Sequence, residues 1–207
     1  MRKAYSGPSG QERGDPLDGL IQTILSQNTT SSNAAAAFAE LKRRCPTWGD
    51  CLRVGVLAVR RAIRSAGLAG IRAPRIIGIL RRIEAEQGRL SLDFLWRVPV
   101  REARSYLESL PGVGPKTASC VLLFDCGRPV FPVDTHVARI TRRLGWVPAS
   151  TSPEAIQTIL EPLIPPQLRY GLHVNLIAHG RQLCRPQRPR CDLCPVLPYC
   201  PAGQQPR

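Results

Sequence analysis

Apolar positions along the chain recur at helical spacing, and no stretch alternates in the way a strand would. Leu17, Leu20, Ile21, Ile24 and Leu25 share one helical face and predict a helix over 17–25. Ser32 can cap an alanine-rich helix that runs to Arg44 and stops before Pro46. A third helix is expected over 50–65, ahead of Gly67. A fourth has Pro74 near its start, reaches about Gln87 and ends at Gly88. Pro99 precedes a helix over 100–110, and the turn Pro111-Gly112-Val113-Gly114 joins it to another over 115–126. Asp134 opens a helix to Leu144, and Ser152-Pro153-Glu154 reads as a cap followed by proline at the first helical position. The last long helix spans 167–184. The pattern predicts an all-α protein, with no repeat of 20–50 residues and low complexity only at the ends.

Composition adds a partner. Hydrophobic residues make up 43% of the chain and aromatic ones only 5%, so the core is aliphatic. No apolar run is long enough to span a bilayer. The first fifteen residues, MRKAYSGPSGQERGD, lack the apolar segment of a secretory signal and read as a loose arm. An intracellular, cytoplasmic protein associated with the nucleoid is expected. The formal charge of +14 and a pI near 10.3 point to a polyanion, most often nucleic acid. The charge is spread over Lys42-Arg43-Arg44, Arg60-Arg61, Arg81-Arg82, Arg142-Arg143 and Arg185, Arg188 and Arg190, which suits a folded binding face better than a basic tail.

Three motifs carry chemistry. The first is LPGVGPKTASC. Its two glycines permit a sharp bend and close approach to another surface. The amides that start the second helix lack intrahelical partners and can meet an anion such as a backbone phosphate. Lys116 falls in the first turn of that helix, where the dipole disfavours a cation by roughly 0.3–1 kcal/mol. Of the 29 basic residues only Lys3, Lys42 and Lys116 are lysines. Arginine stays protonated in proteins, whereas lysine can become a neutral amine.

The second motif is FPVDTHVARI. Asp134 is a natural N-cap. The helix from Pro115 rises roughly 16–18 Å, and the proline-containing stretch after it can return roughly 20 Å, so Asp134 can approach Lys116. A carboxylate beside an amine suits acid–base work or the stabilisation of developing positive charge. His136 is expected to pack.

The third is the spacing Cys184-x6-Cys191-x2-Cys194-x5-Cys200. Four thiolates so close together suit a tetrahedral zinc or an iron–sulfur cluster. The single short knuckle without a long spacer favours [4Fe–4S]. Arg185, Arg188 and Arg190 lie on that loop.

LPGVGPKTA, then VDTHVAR 18 residues after the lysine, then the four-cysteine loop resemble the endonuclease III family of helix-hairpin-helix DNA glycosylases. LSQNTT around Gln27 resembles a fourth segment of that family, and GRLSLDFLWRVPVREARSYLESLPGVG resembles a branch with archaeal members and plant demethylating glycosylases. The resemblance covers about residues 17–200. It implies a two-lobed all-α fold: a flexible arm over 1–16, a six-helix barrel lobe over 31–134 holding the hairpin, and a cluster lobe built from 17–30 and 135–207. With so little chain before LSQNTT, the family's first helix is expected to be missing or reduced.

The implied activity is base-excision repair by a bifunctional glycosylase and abasic-site lyase acting as a monomer on double-stranded DNA with damaged, oxidised pyrimidines. The implied roles are Lys116 as nucleophile, Asp134 as its assistant, Gln27 filling the gap left by the flipped base and Leu68 wedging the opposite strand. Gly112, Val113, Gly114, Arg185, Arg188 and Arg190 would contact DNA, and Cys184, Cys191, Cys194 and Cys200 would hold a [4Fe–4S] cluster. A non-catalytic damage-binding module of the same fold is one alternative. Another is a mismatch adenine glycosylase, which lacks the lysine and carries an extra C-terminal domain.

Overall fold

The computed structural model describes residues 14–204. The arm expected over 1–16 lies, up to residue 13, outside the described residues. Helices account for the regular structure, and no strand occurs among the described residues. Contacts divide the chain into two compact units, with a chain boundary between Arg128 and Pro129.

The first unit contains six α-helices among its described residues: α1 (Pro16–Ser26), α2 (Ser31–Arg44), α3 (Trp48–Ala62), α4 (Ala69–Gln87), α5 (Val100–Ser109) and α6 (Pro115–Phe124). Helix α1 begins where Asp15 accepts the amides of Leu17 and Asp18, with Pro16 at the first helical position. Its face of Leu17, Leu20, Ile21 and Ile24 is fully buried against α2 and α6. Residues 17–30 therefore pack with the hairpin unit, and α1 is the sixth helix of that unit. The grouping of 17–30 with 135–207 that the resemblance implies differs from this packing. Periodicity shows that a face is apolar but not which helices cover it.

Three local expectations are corrected. Thr30, not Ser32, caps α2, accepting the Asn33 amide. Helix α3 starts at Trp48 because Thr47 and Asp50 form a reciprocal capping box, and it ends at Ala62. Arg64–Ala66 is a separate 3₁₀ turn. Helix α4 starts five residues before Pro74, which sits inside it, because Leu68 carbonyl already accepts the Ile71 and Arg72 amides. Gly88 closes α4 in the left-handed conformation, as expected of a C-terminal glycine.

The second unit, described over 129–204, holds α7 (Thr135–Arg143), α8 (Pro153–Leu163), α9 (Pro166–Gln182) and the short α10 (Pro201–Gln204). Ser152 caps α8 through the Ala155 amide. The core gathers Phe131, Val133, Val137, Ile140, Ile156, Leu160 and Leu176. His173, buried on α9, packs edge-on against Phe131 and bonds the Pro132 carbonyl at 2.9 Å. Helix α9 thereby holds the residues that lead into Asp134.

Candidate functional site

In the first unit, Pro111–Gly114 joins α5 to α6 as a tight turn. Gly112 has φ +70°, and a Cβ there would sit 2.8 Å from Arg75 Cδ and closer still to Nε. Glycine is therefore required at 112 on two counts. Gly114 differs. Its φ of −98° and ψ of 178° suit any residue, and a Cβ would meet nothing within 4 Å. Nothing inside this unit demands glycine there. Val113 is 5% exposed and its amide donates to the Leu110 carbonyl, so it anchors the turn from inside. Its side chain faces the core and its amide bonds within the turn.

Pro115 is the first residue of α6, and Lys116 follows, exposed and with no hydrogen-bond or ion-pair partner among the described residues. Its neighbour Thr117 is buried. Gln27, at the end of α1, donates through Nε2 to Thr117 Oγ1 at 3.3 Å and accepts at Oε1 from Arg75 at 3.5 Å. Arg72, 2% exposed, donates to the carbonyls of Ala66, Gly67 and Gln27. Burial and the neighbouring Arg75 charge hold the Arg72 guanidinium below its usual pKa. Leu68 stands beside this clamp in a left-handed conformation, φ +48°, and is 55% exposed. The structure thus brings Gln27, Leu68, Gly112 and Lys116 onto a single scaffold through Thr117, Arg72 and Arg75. Sequence reasoning missed those three. Arg75 has no local signal, and a buried arginine serving carbonyls looks in sequence like any surface arginine.

Asp134, Arg185, Arg188, Arg190 and the four cysteines belong to the second unit. Asp134 caps α7, its Oδ1 accepting the Val137 amide at 2.8 Å. Oδ2 has no hydrogen bond among the described residues. His136 packs against Gly180, where a Cβ would lie 2.6 Å from its Nδ1. Arg139 donates to the carbonyls of Gly180 and Cys184, at 3.0 Å and 2.8 Å through Nη2. Arg143 bonds the carbonyls of Arg185 and Pro186 and lies 3.3 Å from Cys184 Sγ. Two arginines of α7 therefore fix the start of the cysteine loop, a role the sequence reading did not assign. Burial lowers the pKa of Arg139.

Cys184, Cys191, Cys194 and Cys200 line one cavity of about 160 Å³ with Ile140, Leu144 and Leu183. They surround this space and do not meet at one point: among the described residues no three His, Cys, Asp or Glu side chains converge on a single ion. Arg185, Arg188 and Arg190 are exposed beside it, Arg188 with φ +47°.

The first unit turns through Pro-Gly-Val-Gly into a lysine-bearing helix, and an Asp-capped helix follows along the chain. The chain belongs to the HhH-GPD superfamily of base excision DNA repair proteins, whose description matches residues 21–166. Within it the chain is endonuclease III-like. It is 34% identical to endonuclease III of Thermotoga maritima over 193 residues, 93% of this chain and 86% of that protein. It is 44% identical over 165 residues to a candidate DNA glycosylase of Arabidopsis thaliana, covering 80% of this chain but only 56% of that protein. Among solved structures, a non-covalent endonuclease III–DNA complex superposes with a TM-score of 0.82 at 30% identity, covering 98% of this chain and 91% of that one. No helix among the described residues is long and apolar enough to cross a membrane.

Proposed function

We propose that the protein is a bifunctional DNA glycosylase and abasic-site lyase that removes damaged pyrimidines, with Lys116 as nucleophile. The observation that carries this reading is Lys116 itself: an exposed amine, unpartnered among the described residues, in the first turn of a helix, on a scaffold fixed by Gln27, Thr117 and Arg75. Attack requires a neutral amine, a form open to lysine and closed to arginine.

The reaction needs the target nucleotide turned out of the stack, with Gln27 filling the gap and Leu68 wedging the opposite strand. Lys116 Nζ attacks C1′, and the bond from C1′ to the base breaks with its electron pair leaving on the base. Asp134 stabilises the positive charge that develops on the sugar and takes the amine proton. The C1′–O4′ bond then breaks with its electron pair on O4′, which takes a proton from water, and the opened sugar is left as a protonated Schiff base. Loss of a C2′ proton then expels the 3′ phosphate oxygen, which cuts the strand by β-elimination.

Gly114 supports DNA contact. An extended glycine with open space at its Cβ position leaves room for a phosphate against the start of α6. The DNA complex of endonuclease III that the chain resembles supports the same partner. The cysteine cavity, with four thiols around a space larger than one ion, suits a [4Fe–4S] cluster held by Cys184, Cys191, Cys194 and Cys200. Bound there, the cluster would cross-link the loop that carries Arg185, Arg188 and Arg190.

The test is incubation with a duplex containing thymine glycol under borohydride. A covalent protein–DNA adduct that maps to Lys116 is expected. Tight binding to damaged DNA with no adduct would leave a damage-binding module instead.

A further inference from the structure

From Cys51 to Ile83 the sequence contains Arg53, Arg60, Arg61, Arg64, Arg72, Arg75, Arg81 and Arg82 but no acidic residue. Some of this charge is answered inside the unit. Arg53 pairs with Asp50, Arg82 pairs with Glu86, and Arg72 and Arg75 serve the Gln27 clamp. Arg60, Arg61 and Arg64 are not answered. All three are exposed and have no hydrogen bond or ion pair among the described residues.

Their placement is organised. Helix α3 kinks at Gly55, φ +75°, and the segment after the kink carries Leu57, Arg60 and Arg61 on one face. Arg64 continues the row in the following 3₁₀ turn. Leu57, 68% exposed, lines with the three arginines and Ala69 an open groove of about 520 Å³. Like charges packed at helical spacing repel one another, so the row is destabilising until an anion neutralises it. From Leu57 to Arg64 the chain advances about 10 Å, the axial length of about three nucleotides on one strand. The row ends four residues before Leu68.

We propose that Leu57, Arg60, Arg61 and Arg64 form a second phosphate-binding surface that holds the backbone of the strand opposite the damaged nucleotide. The choice of strand rests on the reading of the chain as a DNA glycosylase whose Leu68 meets that strand. The arginines make sequence-independent phosphate contacts, and Leu57 offers an apolar surface to the sugars between them.

The experiment measures anisotropy of the full chain with a duplex carrying a tetrahydrofuran abasic analogue, which cannot form a Schiff base, from 50 to 200 mM salt. The variant Arg60→Gln/Arg61→Gln/Arg64→Gln should flatten the slope of log K against log salt by about 2–3. Its loss of affinity should be the same on undamaged duplex. The matching triple lysine variant should keep the wild-type slope. Neutral methylphosphonates in the strand opposite the analogue should weaken wild type but not weaken the triple glutamine variant further. An unchanged slope in a folded glutamine variant, judged by circular dichroism, would overturn the proposal. So would methylphosphonate coupling confined to the lesion strand, or equal losses in the lysine and glutamine variants. Because no chemistry is involved, failure of borohydride trapping would overturn the lyase reading and leave this surface standing.

Discussion

Gly112 and Gly114 look alike in sequence, and the structure separates them into two roles. Gly112→Ala puts a Cβ on a residue at φ +70°, which costs about 1–2 kcal/mol for the left-handed conformation alone. The same Cβ overlaps the Arg75 side chain, so Arg75 must leave its place beside Gln27 Oε1. The contact given up is 3.5 Å long and weak, so backbone strain dominates the cost. A loss of about 1–2 kcal/mol lowers Tm by roughly 2–8 °C for a protein of this size. Gly114→Ala meets neither penalty. Its stability should stay within about 1 kcal/mol of wild type, because the restriction that alanine places on the unfolded chain is offset by its poorer N-cap preference. Its DNA affinity should fall, because the methyl group occupies the space left for a phosphate. Urea unfolding and anisotropy on one duplex separate the two effects. Wild-type stability in Gly112→Ala, or wild-type DNA affinity in Gly114→Ala, would refute the division of roles.

Other outcomes follow from the same structure. Burial and the neighbouring carboxylates of Asp15 and Asp18 push the Asp125 pKa up to about 7. Because the folded value lies above the unfolded one, wild type should lose stability as pH rises from about 4 to above 7, and Asp125→Asn should escape that loss. The gain in urea midpoint from Asp125→Asn should therefore be larger at pH 8 than at pH 5, and an equal gain at both would contradict the assignment. The purified protein should carry about four irons per chain and absorb broadly in the visible, and Cys194→Ala should lose both. One zinc and no iron would end the cluster reading. Arg188→Ala should weaken binding equally on damaged and undamaged duplex and flatten the salt dependence by about one phosphate. A loss confined to damaged DNA would show that this loop reads the lesion.

Features set by local chemistry were legible in the sequence. Pro115 and Gly114 mark the start of α6, Asp134 caps α7, Ser152 caps α8 and Gly88 ends α4, each through bonds or dihedrals within a few residues. Features set by distant partners were not. Thr30 and Ser32 are equally good caps on paper, and the folded backbone uses Thr30. Helix α1 shows its apolar face but not that α6 covers it. Val113 sits between two glycines and reads as part of an exposed turn until the structure buries it. Gln27 stands in a recognisable motif, LSQNTT. The reason it is held in place lies 45 to 90 residues away, in Arg72, Arg75 and Thr117.

Substitution of Lys116 by arginine tests the central claim most directly. Lys116→Arg keeps the charge and nearly the reach, and it removes only the capacity to become a neutral amine. The side chain is exposed and unpartnered among the described residues, so the fold should not change. Single-turnover cleavage of a thymine glycol duplex, with borohydride trapping in parallel, should show normal DNA binding, no adduct, and loss of both base release and strand cleavage. Cleavage near the wild-type rate would show that Lys116 is not the nucleophile.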